Sequence, residues 1–424
     1  MGREQMTDAV RAAVEQVART HRSHLIAALA AGNGDLALAE DALSAAFEQA
    51  LRTWPRRGVP DNPVAWVLTV ARNRQRDVWK SAARRTSVPL GAATDAHAAD
   101  SAEPQAGTGA GPIEDRRLEL LFVCAHPAID PQVHTPLMLQ VVLGVDAARI
   151  AAAFAISPAA MAQRLVRAKK RIKHARIPFV VPGPQALPER LPAVLEAVYG
   201  CFAIGHDEPT TAGVELAAEA QHLATTLTTL LPDEAEVWAL ASLIALARAR
   251  TSYGGHHIAP PEEFVPLHEQ DPSHWDADLI STGESYLARA QRSRAPGRFQ
   301  LEAAIQAVHC DRLRTGATDW QALHTLYRAL LQVAPSLGAQ VAFAAVVAQT
   351  DSVEAGLAEL ERIRTTWTGS RAEAVEEFQP FHAVRAHLLL AAGRPTQATA
   401  AFATAADLSR GTATRHYLAS QARG

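Results

Sequence analysis

Apolar residues recur every three to four positions along most of the chain, a spacing that predicts helices. One such stripe lies between residues 35 and 54, and its members are Leu36, Ala39, Leu43, Phe47 and Leu51. Asp35 stands just before it, where an N-cap is expected. Alanine is the most frequent apolar residue and aromatic residues make up only 5% of the chain. Because alanine suits helices and aromatic residues suit strands, the prediction is an all-α fold.

Two interruptions of the helical pattern divide the chain. The stretch RRGVPDNP ends the first pattern, and a new helix is expected to begin at Asn62 or Pro63. Residues 86–112 are small and contain Pro and Gly, which is typical of a flexible linker. The pattern resumes at Ile113 and ends near Ile177, before PFVVPGP. The predicted organisation is helical modules at 1–85 and 113–180, the linker 86–112, and a helical domain at 187–424.

The end of the chain fits the spacing of a tetratricopeptide (TPR) unit, in which two antiparallel helices are joined at a turn. The turn is expected at Gly393, and the fitting positions are Ala386, Leu389, Ala398, Phe402 and Ala405. An earlier segment with Ala344, Gly356 and Leu360 fits more loosely. A generic helical hairpin explains both segments nearly as well, so the domain is described as TPR-like.

The pattern in residues 146–173 predicts two helices joined by a short turn. The first begins near Asp146 and is expected to bury Ile150 and Phe154. The turn is expected at Ala155–Ile156, followed by Ser157 as N-cap and Pro158 at the first helical position. The second helix is expected to bury Met161, Leu165, Ala168 and Ile172. This order is that of a DNA-reading helix-turn-helix.

The second of these helices is strongly basic. Residues 161–176 contain seven Lys and Arg and no acidic residue. The positions expected on open faces are Gln163, Arg164, Arg167, Lys170 and Arg171. Arginine can bond guanine bidentately, glutamine can bond adenine, and lysine can hold phosphates. A merely solvated face is the alternative, but the turn, the cap and the apolar stripe together favour DNA binding.

A second basic stretch runs from Arg52 to Arg85, with nine Lys and Arg against two acidic residues. Trp54, Trp66 and Trp79 are interleaved with these cations. Cations with aromatic rings suit single-stranded DNA, whose exposed bases stack on the rings. Alternatively the tryptophans belong to the core, which is favoured for Trp66 and left open for Trp79.

The overall net charge of −3 hides an asymmetry. Residues 1–180 carry 23 basic and 17 acidic side chains, a net of +6, and the rest of the chain therefore carries −9. Contacts with nucleic acid are expected in the first part of the chain. Opposite charges also favour docking of the C-terminal domain on the first part. An unknown protein partner for that domain is the alternative.

Cysteine and histidine patterns do not indicate a metal site or an enzyme. Three distant cysteines predict no disulfide framework and a reducing, cytoplasmic location. The N-terminus has no signal-peptide pattern, and no apolar run is long enough to span a membrane. The closest His and Cys groups lack a third ligand at suitable spacing, and they are His21 with His24, His256 with His257, and His309 with Cys310. We expect no cofactor, no metal and no catalysis.

The sequence resembles bacterial extracytoplasmic-function (ECF) sigma factors, RNA polymerase subunits that recognise promoters. DLALAEDALSAAFEQALRTW is similar to their polymerase-docking helix, and VPDNPVAWVLTVARNRQRDVWK resembles the segment that reads the −10 element. Residues 146–173 resemble the reader of the −35 element. HPAIDP, MAQRLVRAKKRIK and IPFVVP resemble the branch with a long C-terminal TPR-like domain. The resemblance spans nearly the whole chain and implies core RNA polymerase and promoter DNA as partners.

The resemblance and the charge pattern give three sets of candidate residues. The polymerase-binding set is Asp35, Glu40, Asp41, Phe47, Glu48 and Leu51. The set for the −10 element is Asn62, Trp66, Arg72, Asn73, Arg74, Arg76, Asp77, Trp79 and Lys80. The set for the −35 element is Arg149, Ser157, Gln163, Arg164, Arg167, Lys169, Lys170, Arg171 and Lys173.

The chain departs from this branch in its C-terminal domain. Residues that are commonly polar in the branch are mostly apolar here, at Ala203, Ile204, Ala247, Arg248, Ala342 and Phe343. The effect of these departures on the domain's contacts, ligand or partner is left open. Two other classes of function also stay open. One is a helix-turn-helix regulator that acts without polymerase, and the other is a TPR-type scaffold.

Overall fold

The computed structural model is all-α, as the sequence predicts. The residues it describes are 3–86, 116–154, 156–206, 210–250, 252–253, 256–257, 264–291 and 296–423. Within these ranges the only extended elements are two-residue strands, Ser252–Tyr253 and His256–His257, which pair antiparallel. In the described part of the chain no helix is long and apolar enough to cross a bilayer.

The chain divides into two compact units, Met1–Cys201 and Phe202–Gly424. The helices of the first unit are α1 (Arg3–Ala30), α2 (Leu36–Arg57), α3 (Pro63–Thr86), α4 (Arg117–Cys124), α5 (Pro131–Val141), α6 (Ala147–Ala153) and α7 (Pro158–Ala175). Helix α8 (Leu187–His206) runs across the division. The predicted linker 86–112 lies outside the described residues except for Thr86, which ends α3.

The second unit continues with short helices. They are α9 (Thr211–Leu230), α10 (Ala235–Ala249), α11 (Ala277–Ala290), α12 (Arg298–Cys310), α13 (Arg312–Thr315), α14 (Trp320–Val333), α15 (Leu337–Thr350), α16 (Val353–Thr366), α17 (Ser370–Glu376), α18 (Gln379–Ala391), α19 (Pro395–Leu408) and α20 (Thr412–Gln421). A 3₁₀ turn, Pro272–His274, precedes α11.

The predicted helix starts in the first unit are confirmed by their caps. The Leu38 amide donates to Asp35 Oδ1 over 3.1 Å, which begins α2. The Ala65 amide donates to Asn62 Oδ1 over 3.0 Å, which begins α3 at Pro63. Each carboxylate or amide oxygen satisfies a backbone N–H that the first helical turn leaves without a partner.

The predicted apolar stripe of α2 is right at its start and wrong at its end. Leu36, Ala39 and Leu43 are buried, but Leu51 is 44% exposed, and Ala46, Ala50 and Trp54 complete the buried face. A step of four residues turns a helix by about 40° beyond a full turn. Three such steps from Ala39 therefore rotate Leu51 away from the core. The residues that are buried follow one another at mixed spacings of three and four, which keeps them on one face of the helix.

The hairpin predicted near the end of the chain is confirmed. Helices α18 and α19 are joined at Gly393, whose φ of +71° is in the left-handed region that glycine adopts without strain. The residues predicted to pack in this hairpin belong to one buried cluster, and they are Ala386, Leu389, Ala398, Phe402 and Ala405. In the looser segment, a Cβ added to Gly356 of α16 would lie 2.6 Å from the Ala348 Cβ of α15, so these helices need glycine to approach this closely.

Candidate nucleic-acid interface

The outer face of α2 carries part of the predicted polymerase-binding set. Asp41 and Glu48 are exposed, and Glu48 forms an exposed ion pair with Arg52 at 3.6 Å. Leu51 is exposed and Phe47 is half-buried. This part of α2 therefore presents acidic and apolar groups to solvent, which can both contribute to a protein contact. Asp35 and Glu40, at the start of the helix, are half-buried and have partners described below.

Helix α3 presents a basic face. Most of the predicted −10 set is exposed along it, namely Arg72, Arg74, Arg76, Asp77, Trp79 and Lys80. Asn62 is exposed at the cap, and Asn73 is half-buried and accepts a hydrogen bond from Arg76 Nη1 over 2.8 Å. Exposed guanidinium groups with a free aromatic ring are suited to nucleic-acid phosphates and bases.

The three tryptophans of this module have different environments. Trp54 is 1% exposed, and Trp66 is half-buried, edge-on to it with ring centroids 5.4 Å apart. Trp79 is 43% exposed. Trp54 therefore belongs to the core, and Trp66 belongs to it in part. Trp79 is available for contact with a ligand.

Helices α6 and α7 lie at the two helices that the pattern in residues 146–173 predicts. Asp146 Oδ1 accepts from the amides of Ala148 and Arg149, and Ser157 Oγ accepts from the Ala160 amide over 3.3 Å. The predicted buried stripe of α7 is confirmed, with 0–6% exposure at Met161, Leu165, Ala168 and Ile172. Ala155, in the predicted turn, lies outside the described residues.

The prediction that Phe154 points inward is wrong, because its side chain is 38% exposed. Helix α6 ends at Ala153, and Phe154 takes the C-cap position with ψ of +7°. A residue at the end of a helix no longer follows the helical periodicity that predicted its direction. Ile150, which lies inside α6, is fully buried as predicted. Arg149, of the predicted −35 set, is half-buried on the same helix.

The arginines of α7 lie on one side of its buried stripe. Arg164 is half-buried, whereas Gln163, Arg167, Lys170 and Arg171 are exposed. Arg171 Nε donates to the Ala128 carbonyl over 3.1 Å. A cleft of about 390 Å³ lies between this side of α7 and the start of α5, and its lining residues include Arg164, Arg167, Arg171, Asp130 and Gln132. Three guanidinium groups at one cleft make a surface that favours anions such as phosphate.

The lysines on the opposite side of α7 face α2. Lys169 Nζ lies 2.8 and 2.7 Å from the two carboxylate oxygens of Glu40. Lys173 Nζ lies 2.7 Å from Asp35 Oδ2. The structure therefore brings two residues of the predicted −35 set together with two of the predicted polymerase-binding set. Sequence periodicity gave no sign of this, since the partners are more than 120 residues apart.

The positions at which the second unit departs from the ECF branch have different surroundings. Ala247 is buried, while Ala203, Ile204 and Ala342 are half-buried. Arg248 donates to Gln221 Oε1, and the Phe343 ring packs 5.2 Å from the His324 ring.

A polar cluster that sequence reasoning missed lies between α10, α12 and α14. Arg250 Nη2 donates to Gln306 Oε1, and burial lowers the pKa of Arg250. Burial, with Arg250 and Arg312 nearby, lowers the pKa of His309 to about 4. Burial raises the pKa of Tyr327 to about 12. The one sequence signal was a cation at the end of the apolar helix α10. Among the described residues, no group of three or more His, Cys, Asp or Glu is placed to hold a metal ion.

Two families match separate parts of the chain. Residues 17–85, which include α2 and all of α3 except Thr86, match the family Sigma-70 region 2. Residues 190–291 match a family of unknown function (DUF6596). The Sigma-70 region 2 match supports a sigma-70 family factor and indicates promoter recognition of the sigma-factor type.

The chain also has a relative along most of its length. A protein of Rhizobium meliloti (strain 1021), itself described as uncharacterized, is 33% identical over 395 residues, which cover 91% of this chain and 90% of the relative. The chain therefore belongs to the same family as that protein. No solved structure matches the chain.

Proposed function

We propose that this protein is a sigma factor that binds core RNA polymerase and directs promoter recognition and transcription initiation. The observation that carries the proposal is the match of residues 17–85 to Sigma-70 region 2, on a three-helix module whose last helix exposes Trp79 among arginines. A basic face alone would suit any nucleic acid. Its combination with that family match favours promoter DNA.

In this proposal the two DNA-reading helices have different tasks. Helix α3 binds the −10 element through its exposed cations and Trp79, which suits strand-separated DNA with accessible bases. Helix α7 lies in the major groove at the −35 element, where Gln163, Arg164 and Arg167 contact base edges. Lys170 and Arg171 hold phosphates in this proposal, which their exposure supports.

The C-terminal helical domain is proposed to modulate this activity, as in ECF sigma factors with a TPR-like domain. Two observations support the proposal. A helical hairpin lies near the end of the chain, and Gly356 lets α15 and α16 approach closely before it. The charge of −9 after residue 180 is opposite to the +6 before it, which favours association of the two parts at low salt.

The polymerase contact is tested by reversing charge on α2. Asp41→Arg combined with Glu48→Arg changes two exposed side chains seven residues apart, so the fold is expected to be kept. The double variant should no longer co-purify with core RNA polymerase, because the new charges repel a partner that accepts an acidic helix.

The matched control is Glu354→Arg with Glu361→Arg, also exposed and seven residues apart on α16. This control should bind polymerase as the unchanged protein does. Retention of polymerase by a folded α2 variant would remove α2 from the interface.

A further inference from the structure

Two arginines of the second unit lie close together at the polar cluster between α10, α12 and α14. Arg250, at the C-terminal end of α10, donates from Nη2 to Gln306 Oε1. Arg312, in α13, donates to the Leu267 carbonyl over 2.6 Å and to the Gln270 carbonyl over 3.2 Å. Burial lowers the pKa of Arg250, and the nearby charge of Arg312 lowers it further. Both guanidinium groups are thus bonded to neutral acceptors.

One end of the Arg250 guanidinium is buried without a hydrogen-bond partner. Its Nη1 atom is shielded from solvent, and no acceptor in the described ranges lies within hydrogen-bond distance of it. An unpaired polar group in the interior costs free energy, and the cost is larger when the group is charged. Buried polar groups in proteins normally have a partner. Nη1 therefore favours an acceptor, and a negatively charged acceptor most of all.

The two weakly acidic groups near Arg250 do not supply a negative charge. They are the thiol of Cys310 and the phenol of Tyr327. Burial raises the pKa of Cys310 to about 11 and the pKa of Tyr327 to about 12. Both groups are therefore neutral at neutral pH, and neither compensates the guanidinium.

The carboxylates of this region are paired with other arginines. Glu302 lies 2.8 Å from Arg298 Nε, and Glu284 lies 2.9 Å from Arg314 Nη1. Within the part of the chain that the structure describes, no carboxylate is among the charges that shift the pKa of Arg250. Arg250 is therefore a buried cation whose described surroundings hold no anion to compensate it, which is an unfavourable arrangement.

Two histidines near Arg250 can also donate to an anion. Burial, with Arg250 and Arg312 nearby, lowers the pKa of His309 to about 4. Burial and Arg250 likewise lower the pKa of His206, at the end of α8, to about 4. Each ring is neutral at neutral pH and keeps one N–H donor. His206 is exposed and His309 is half-buried, so part of this group faces solvent.

We propose that Arg250, with Arg312, His309 and His206 around it, binds an oxyanion, which is the phosphate or carboxylate group of a small ligand. The hydrogens of Nη1 donate to the oxygens of the anion, whose charge compensates the buried guanidinium. The inference does not depend on the proposed function, because these groups lie in the second unit, outside the match to Sigma-70 region 2. Binding links the stability of this unit to the concentration of the ligand.

Anion binding is tested on the full-length protein with inorganic phosphate and with acetate, each compared with chloride at equal ionic strength. At least one of these anions should raise the Tm, because a ligand that binds only the folded state stabilises it. The anion that acts identifies the group as phosphate or carboxylate. Titration calorimetry gives its Kd, which Arg250→Gln should weaken by about tenfold or more, because a charge-assisted hydrogen bond is lost.

Arg328→Gln, an exposed change on α14, is the matched control and should bind the anion as the unchanged protein does. This control is needed because phosphate also stabilises proteins by exclusion from their surface. No gain in Tm over chloride with either anion, or the same gain in a folded Arg250→Gln variant, would overturn the proposal.

The pKa of His309 gives a second readout that does not require the Arg250 variant to fold. Followed by NMR in the unchanged protein, it should rise when the anion binds, because a negative charge offsets Arg250 and Arg312. The His309→Gln variant assigns the signal. An anion that binds without changing this pKa is bound elsewhere, and the assignment to Arg250 is then wrong.

The chain's own carboxylates are the alternative source of the oxyanion. Glu262 and Glu263, which lie outside the described residues, follow Arg250 in the sequence. Glu262→Gln with Glu263→Gln should respond to phosphate or acetate as the unchanged protein does. A response that appears only in this double variant would assign the partner of Arg250 to the chain itself and would overturn the proposal.

Discussion

His309 sets a pH dependence at the scale of a single residue. It lies half-buried in α12, and burial, Arg250 and Arg312 together lower its pKa to about 4. In the unfolded chain the pKa of histidine is about 6.5, so between these values the unfolded state binds the proton more tightly. The stability contributed by neutral His309 is therefore present above pH 6.5 and is lost as the pH falls towards 4.

The expected result is a fall in the free energy of unfolding between pH 7 and pH 4.5, of which His309 accounts for at most about 3 kcal/mol. Denaturant titrations at both pH values measure it. The His309→Gln variant should show a smaller fall, because glutamine does not titrate. The exposed His416→Gln is the control and should behave as the unchanged protein. The same fall in His309→Gln and in the unchanged protein would contradict this account.

Individual positions could be predicted from the sequence where the cause is local. Asp35 and Ser157 were predicted as caps because a side-chain oxygen there satisfies the next backbone amides, and both do so. The predicted burial of Leu51 and Phe154 was wrong, because the direction of each side chain depends on how the helix rotates along its length and on where it ends. The partners of Arg250 come from other helices. Such tertiary contacts have no signature in a local pattern.

At the scale of elements, α7 has two polar sides separated by its buried stripe. The arginine side lines a cleft and the lysine side faces α2. The sequence predicted the stripe and the open positions, because both follow from helical periodicity. It did not predict that Lys169 and Lys173 contact α2, since periodicity does not show which side a neighbouring helix occupies.

In the proposed function, the residues of α7 that read bases and those that hold phosphates should differ in their effects on binding of the polymerase complex to a promoter fragment. Arg164→Ala, Arg167→Ala or Gln163→Ala should each cost about 1–3 kcal/mol and relax specificity at particular base pairs. Lys170→Ala should weaken binding evenly across sequences and flatten the dependence on salt.

Arg328→Ala, an exposed change on α14, is the control for these titrations and should change neither property. Binding measured across single-base variants of the fragment and across salt concentrations separates the two classes. Identical behaviour of the arginine and Lys170 variants would remove the assignment of base readers.

At the scale of the whole molecule, the all-α class and the helical hairpin near the C-terminus were predictable, because both follow from composition and spacing. The packing of α2 against α7 was not, because Glu40 and Lys169 are 129 residues apart in the chain. The predicted organisation placed the two DNA-reading modules on either side of a linker. The structure packs the helices of both within Met1–Cys201.

Run-off transcription decides whether the chain directs core RNA polymerase to promoters, as proposed. Purified full-length protein is added to core polymerase on fragments of the genome from which it comes, and the transcript ends are mapped. The account predicts discrete start sites that require the protein and that share sequence elements upstream. It also predicts that Asp41→Arg with Glu48→Arg removes these transcripts and that Glu354→Arg with Glu361→Arg keeps them. Transcripts that are the same with and without the protein would contradict the account.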